Sequence, residues 1–303
     1  MKIIQSFWSK PFQNPYDNSF ESRFMGGFPL KRYFIYTWAL SVLRLKEHFK
    51  DVHLITDDFG KQLMIDALEF PYSSCTVNLN EIEHISSRFW CAGKLYVFSK
   101  IKEPFLHFDG DLILGNLFDK NIISKNIIAE YHYEDKPKSY EKTLNNIRGA
   151  NSSFRTTPDL QKIINKKTFI YNDYNLGIIG GKAHSFFNDY AIESLKLLEL
   201  NKNLPDVEEI SNSFLNCFIE QFMFYNFVQS RNEKIDLCIE QKFDRIYDYQ
   251  KHILDKMTTE FSFIHLHNEY KLKYYTLPEK WLKYYYRDVY DKINIMIFGK
   301  IIQ

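Results

Sequence analysis

The chain has 303 residues, with 39 Lys and Arg against 38 Asp and Glu, a net charge of +1 and a pI near 7.6. A balance that close provides no global field for gripping nucleic acid, so no nucleic-acid partner is expected. The composition, 45% hydrophobic and 25% charged, is that of an ordinary globular protein, and 17% aromatic residues supply both core area and flat faces for a base or sugar ring.

In chain order, Lys2 to Trp8 reads as a short apolar strand, followed by a loop with Ser9, Pro11, Asn14 and Pro15. The first residues begin like a signal peptide, but the apolar run breaks at Gln5 and Ser6 and Lys10-Pro11 follows, so none is expected. No apolar run approaches the roughly 20 residues of a membrane span. Cys75, Cys91, Cys217 and Cys238 make neither a CxxC pair nor a zinc spacing, which points to reduced thiols in a cytoplasm. Leu30 to Phe49 predicts a helix, with Phe34, Trp38, Val42 and Leu45 at helical spacing. Asp51 to Asp58 predicts a buried strand ending in two acids, Lys61 to Leu68 a short helix, and Cys75 to Leu79 a weaker strand. Ser86 to Lys100 reads as a helix, and Pro104 to Leu114 as one strand interrupted by an acidic turn. Such alternation implies an α/β fold, a mostly parallel central sheet flanked by helices.

Beyond Phe118 the rhythm loosens. Asn126 to His132 predicts a strand, 134–159 a polar surface segment, and Thr168 to Gly181 two apolar runs around an Asn/Asp turn. Helices are expected over His184 to Leu200 and Ile210 to Val228, and a strand over Phe261 to Leu266. From Trp281 to Phe298 a helical stripe of Trp281, Tyr285, Val289 and Ile293 is flanked by basic and aromatic residues. Such a stripe packs back on the domain or docks peripherally on a membrane. No repeat or Gly/Ser linker divides the chain, and one domain is expected.

The chemistry concentrates at Asp109-Gly110-Asp111, at the end of the apolar run Phe105-Leu106-His107-Phe108. Residues at i and i+2 of an extended segment face one side, so both carboxylates are aimed together from the strand's C-terminal end, where open α/β sheets place ligands. Adjacent carboxylates suit a hard divalent cation that bridges to a phosphate.

Several segments together resemble the GT-A glycosyltransferases, especially glycosyltransferase family 8. They are Phe89-Trp90-Cys91-Ala92-Gly93-Lys94-Leu95, the strand into the DxD motif, Asn172 to Ile179, the helical Glu220-Gln221, and Ile264-His265-Leu266-His267-Asn268-Glu269-Tyr270-Lys271. Two departures stand out: Asn268 replaces a Gly of the family's late element, and no Pro-Trp follows Lys271. The resemblance implies a GT-A-like domain over 1–275, with a Rossmann-like nucleotide-sugar half at 1–120, an acceptor half at 121–275, and a C-terminal helical extension at 276–303. It implies a metal-dependent hexosyltransferase using Mn²⁺ or Mg²⁺ and a nucleotide-sugar donor, UDP-type favoured. It also implies a hydroxyl acceptor on a bacterial-type surface glycan or glycolipid, with retention of configuration favoured.

Residue by residue, Asp109 and Asp111 match the acidic pair that holds metal and donor, His265 the third metal ligand, and Lys271 the diphosphate-binding Lys. His267 shares a face with His265 if that segment is extended and stands as the alternative ligand. Lys94 matches a donor-binding Lys. Ser6 and Trp8 stand where the nucleotide pocket begins, and Asp57 is placed either against base and ribose or as a helix cap. Asn175 and Gly177 match the acceptor-side turn, and Glu220 and Gln221 the pair beside the transferred sugar. Glu220 or Asp173 is available as a base, as is the leaving phosphate itself. Flat faces near these motifs come from Trp90, Tyr171, Tyr174 and Tyr270. Two other readings use the same residues: a degenerate sugar- or nucleotide-binding protein of that fold, and a phosphatase of the haloacid dehalogenase class. The second normally opens its domain with the acidic motif, whereas here a full βαβα half precedes it.

Overall fold

The structure is a computed structural model that describes residues 1–13, 24–134, 145, 154–165, 172–203, 212–239, 260–267 and 270–299. The strands are β1 (Lys2–Phe7), β2 (Val52–Thr56), β3 (Ser74–Val77), β4 (Phe105–Phe108), β5 (Leu112–Leu114), β6 (Ile128–Glu134), β7 (Asn172–Gly181), β8 (Asp236–Leu237) and β9 (Phe263–His265). Among the described residues seven of them make one sheet in the order β3-β2-β1-β4-β7-β6-β8. β1 runs parallel to β2 and β4, β2 to β3, and β6 to β8, while β7 is antiparallel to both β4 and β6. β5 and β9 form a separate antiparallel ribbon.

The helices are α1 (Ser9–Gln13), α2 (Lys31–His48), α3 (Asp58–Lys61), α4 (Ala92–Lys100), α5 (Pro158–Ile164), α6 (His184–Asn201), α7 (Asn212–Cys217), α8 (Met223–Arg231), α9 (Tyr270–Lys273), α10 (Thr276–Tyr285) and α11 (Arg287–Phe298), with a π-helical turn at Phe218–Phe222 joining α7 to α8. Successive strand residues point to opposite faces, and the core divides accordingly. Ile4, Phe105 and Ile179 join the cluster with Leu95 of α4 and Tyr190 of α6, whereas Ile3, Leu106 and Ile178 join the one with Val42 of α2 and Trp281 of α10. Both faces are covered, which is why these strands are near-continuous apolar runs. α2 is buried without a break from Tyr33 to Val42, being held between the sheet and the C-terminal helices. Tyr36 shows the contact, its hydroxyl donating to Asn294 Oδ1 at 2.6 Å and its ring stacked on Tyr290.

Four expectations are corrected. The segment from Pro104 to Leu114 is two strands in two sheets, because the chain turns at Asp109 and β5 leaves to pair with β9. The Asn172-Asp173 turn expected between two apolar runs is instead the start of one ten-residue strand, Asn172–Gly181, since β4 and β6 between them occupy both its edges, and the first run, 168–171, lies outside the described residues. The helix expected from Ser86 starts at Ala92, because Asn216 takes over the preceding backbone: its Oδ1 accepts from Cys91 N at 2.9 Å and its Nδ2 donates to Arg88 O at 2.8 Å. The C-terminal stripe is broken at Tyr286 (φ −138°), so Trp281 and Ile293 are buried from separate helices while Tyr285 is exposed. Most of the polar segment 134–159 lies outside the described residues, as do Tyr171 and Asn268. No helix among the described residues is long and apolar enough to cross a membrane.

Candidate functional site

The turn from β4 to β5 is pinned on three sides. Leu112 N donates to Asp109 O at 3.1 Å, closing it; Asp109 N donates to Gly177 O of β7, and Leu266 N to Asp111 O, both at 2.9 Å. Gly110 between the acids faces the Trp38 ring so closely that a Cβ would lie 2.3 Å from it. A side chain is excluded there, and the indole of α2 forms the floor of the turn.

Pairing of β5 with β9 sets Leu112 opposite His265, which brings the imidazole beside the turn. His265 Nε2 lies 3.3 Å from Asp111 Oδ1 and 3.9 Å from Asp109 Oδ2, and one ligand atom from each of the three residues falls within 4.8 Å of the others. The other ring nitrogen, Nδ1, is 2.9 Å from Oε2 of Glu130, a fully buried carboxylate on β6. Two lysines flank the group, Lys271 buried and Lys94 partly buried. Lys271 Nζ of α9 is 2.7 Å from Asp111 Oδ2 and donates to Gly26 O at 2.8 Å. Lys94 Nζ of α4 is 2.9 Å from Asp109 Oδ1 and 2.7 Å from Glu220 Oε1, and donates to Leu176 O at 2.6 Å.

These neighbours shift the titrations. Burial pushes the Asp109 carboxyl up to about 6, with Asp111 and Glu220 adding to the rise against Lys94 and His265. For His265, burial favours the neutral ring, but Glu130 and Asp111 outweigh it and hold the imidazolium to about 10. Burial also favours a neutral Lys94, and Asp109 and Glu220 reverse that, so its ammonium is held above the ordinary range. His107, buried behind Asp109, is driven the other way by burial and by Lys94, and stays neutral. Its Nε2 is 2.9 Å from Ser6 Oγ, which fixes the serine hydroxyl at the end of β1.

The group opens into a cleft of about 820 Å³ of empty space, solvent mouth included, at the C-terminal ends of β1 and β4. One wall is aromatic: Phe7, Phe12, Phe34 and Trp38 pack ring to ring, with centroids 4.6–5.7 Å apart. Phe28, Trp8 and Trp90 continue the lining, and the polar end is Lys94, Asp109, Asp111, Glu220 and Lys271. Trp8 Nε1 is buried with no hydrogen-bond partner among the described residues. Two carboxylates and an imidazole form a hard-to-borderline donor set that fits Mn²⁺ or Mg²⁺. With Glu130 and Glu220 included, four carboxylates meet three cations, Lys94, Lys271 and protonated His265, leaving net negative charge at the end of an apolar cleft.

A model described as a family of unknown function (DUF6734) matches residues 1–296. The chain belongs to that family. No curated protein matches this DUF6734 chain. Among solved structures it is similar to mouse xyloside xylosyltransferase 1 in its apo form, at 9% identity and a TM-score of 0.38, covering 87% of this chain and 96% of that one.

Of the residues singled out in the sequence, Asp109, Asp111, His265, Lys94, Lys271 and Glu220 meet in one place in the DUF6734 chain, and Ser6 and Trp8 line the same cleft. Four others stand outside that group. Asp57 caps α3, Oδ1 accepting from Gly60 N at 2.8 Å and Oδ2 from Ser9 N at 2.7 Å, and it is not in the cleft lining. Asn175 turns inward, donating to the Tyr131 hydroxyl and accepting from Gly177 N. Gln221, on the π-helical turn, does not line the cleft beside Glu220. His267 lies against His265 edge to face, 5.0 Å between centroids, outside the Asp109–Asp111–His265 group, because the strand ends at His265 and His267 N folds back onto its carbonyl. Asp173, Tyr174 and Tyr270 are buried away from the lining.

Sequence reasoning missed Glu130, His107 and the aromatic wall. Glu130 reads as one polar residue in an apolar strand, a pattern that flags a buried charge but not its partner. Phe34 and Trp38 sit on a core stripe, and the same faces that fill the core also front the cleft.

Proposed function

We propose that this chain is a metal-dependent glycosyltransferase that moves a sugar from a nucleotide-diphosphate donor to a hydroxyl acceptor. The observation that carries this reading is the convergence of Asp109, Asp111 and His265 within 4.8 Å, flanked by two lysines, at the end of a cleft with an aromatic wall. Asp109, Asp111 and His265 would hold Mn²⁺ or Mg²⁺, which when bound neutralises a diphosphate and stabilises it as a leaving group. Lys271 offers a second positive charge to that diphosphate, and the aromatic wall a stacking surface for its base or sugar. The anomeric C–O bond to the diphosphate breaks, the acceptor oxygen bonds to the same carbon, and its proton leaves to a base.

Glu220 is the carboxylate in the described lining outside the Asp109–Asp111 pair, and its Oε1 is 2.7 Å from Lys94 Nζ beside the cleft. The resemblance to glycosyltransferase family 8 supports a UDP-sugar, retention of configuration, and a glycan or glycolipid acceptor. A cytoplasmic location belongs to the same proposal.

Thermal shift with a nucleotide panel, with and without Mn²⁺, tests it. A nucleoside diphosphate should stabilise the chain only when metal is present, and Asp111→Asn should abolish the effect. If no nucleotide gives a metal-dependent shift, the transferase reading is wrong. Slow metal-dependent release of free sugar from a nucleotide-sugar would establish the activity without an acceptor.

A further inference from the structure

Glu130 is fully buried, its Oε2 is 2.9 Å from His265 Nδ1, and its Oε1 has no hydrogen-bond partner among the described residues. A buried carboxylate is costly in a sheet interior unless it is paired, and the backbone is arranged around this pairing. Between β6 and β7, Ala129 faces Ile179 and Tyr131 faces Asn175, so two steps on β6 are matched by four on β7. The irregularity lies opposite Glu130, where such a bulge re-aims a side chain. Gly177 stands in it, and a Cβ there would lie 2.4 Å from Glu130 Oε2 and 2.4 Å from His265 Cε1. The sheet is thus opened, and a side chain omitted, where carboxylate and ring meet.

From this juxtaposition we infer that Glu130 is a positioning residue: it accepts the Nδ1 proton of His265 and thereby fixes Nε2 as the atom offered to a metal between Asp109 and Asp111. A histidine ligand needs one ring nitrogen bare toward the metal, and a carboxylate on the other nitrogen sets both the tautomer and the ring orientation. Nε2 already faces both aspartates, at 3.3 Å and 3.9 Å. The inference rests on the metal-dependent reading proposed above.

The test is Mn²⁺ calorimetry on the full chain, wild type against Glu130→Gln, with circular dichroism to verify folding. Glu130→Gln keeps the side-chain size but no longer supplies a carboxylate, and Mn²⁺ affinity should fall by about 10- to 100-fold. Equal affinity in a folded variant overturns the positioning role and leaves the metal site standing. No Mn²⁺ binding by wild type overturns the metal reading and this inference with it. A second measurement needs no Glu130 variant: ¹⁵N spectra of the histidine rings in wild type with Mg²⁺, the His265 signal assigned by its loss in His265→Asn. The expected state carries a proton on Nδ1 and none on Nε2; a proton on Nε2 with Nδ1 bare overturns the inference even if Glu130→Gln does not fold.

Discussion

Lys271 Nζ stands 2.7 Å from Asp111 Oδ2 while the other oxygen of that carboxylate faces His265. One aspartate is therefore shared between a fixed cation and a candidate metal position. Lys271 also holds Gly26 O and lies over the Phe28 ring, so its ammonium is fixed at the cleft rim. Lys271→Met removes that charge and leaves Asp109, Asp111 and His265 in place. UDP affinity measured by calorimetry in saturating Mn²⁺ should fall by roughly 10- to 150-fold, the range for a lost hydrogen bond to a charged group, about 1.5–3 kcal/mol. Mn²⁺ alone should bind at least as well, since a competing cation is gone. Undiminished UDP affinity would show that the lysine does not meet the diphosphate.

Metal and protons compete at this site. An ion on His265 Nε2 displaces a proton; burial opposes that proton, but Glu130 and Asp111 hold the ring to about 10. Below that value the protonated form predominates, so affinity should rise with pH, by up to about tenfold per unit. Asp109, pushed up to about 6 chiefly by burial, takes a second proton below that value, and the slope should steepen there. Mn²⁺ titrations at pH 5, 6, 7 and 8 measure this directly. A flat affinity across those values would remove His265 from the ligand set.

The sequence made the acidic turn legible because Asp-Gly-Asp at a strand end requires no knowledge of what packs against it. His265 and Lys271 were legible only by their order along the chain, since the β5–β9 pairing that brings them to Asp111 spans about half the protein. Asp57 was ambiguous for a local reason: an Asp at a strand end before a helix serves equally as a cap or a ligand, and backbone donors from Gly60 and Ser9 decide it. Glu130 was beyond reach because its role depends on a bulge in the facing strand and on a glycine 47 positions away.

Gly110 gives a prediction on stability rather than on binding. The Trp38 ring lies where its Cβ would be, at 2.3 Å, and Trp38 is itself fixed by donating to the Tyr72 hydroxyl at 2.6 Å. Tyr72 in turn donates to Gln5, so the indole cannot retreat without breaking a part-buried chain of hydrogen bonds. Gly110→Ala should cost about 1–3 kcal/mol, as overpacking does in a filled core. Urea denaturation checks the value, and Trp fluorescence in the folded state should shift as the indole is displaced. A variant as stable as wild type would mean that the turn floor yields.

Ile293 and Ile295 lie on one helix, two residues apart, in opposite surroundings. Ile293 is 1% exposed, in the core cluster that contains Trp281 and Leu282 of α10, whereas Ile295 is 69% exposed. The break at Tyr286 lets α11 fold back to make that contact, and the Tyr36–Asn294 hydrogen bond ties the same turn to α2. Ile293→Ala should therefore cost about 2–5 kcal/mol, the range for emptying a buried aliphatic site, while Ile295→Ala should stay within about 0.5 kcal/mol of wild type. Because α2 carries Trp38 into the floor of the acidic turn, Ile293→Ala should also loosen nucleotide binding measured near its midpoint of unfolding. Equal, small effects at the two positions would mean that the C-terminal helices are not packed on α2.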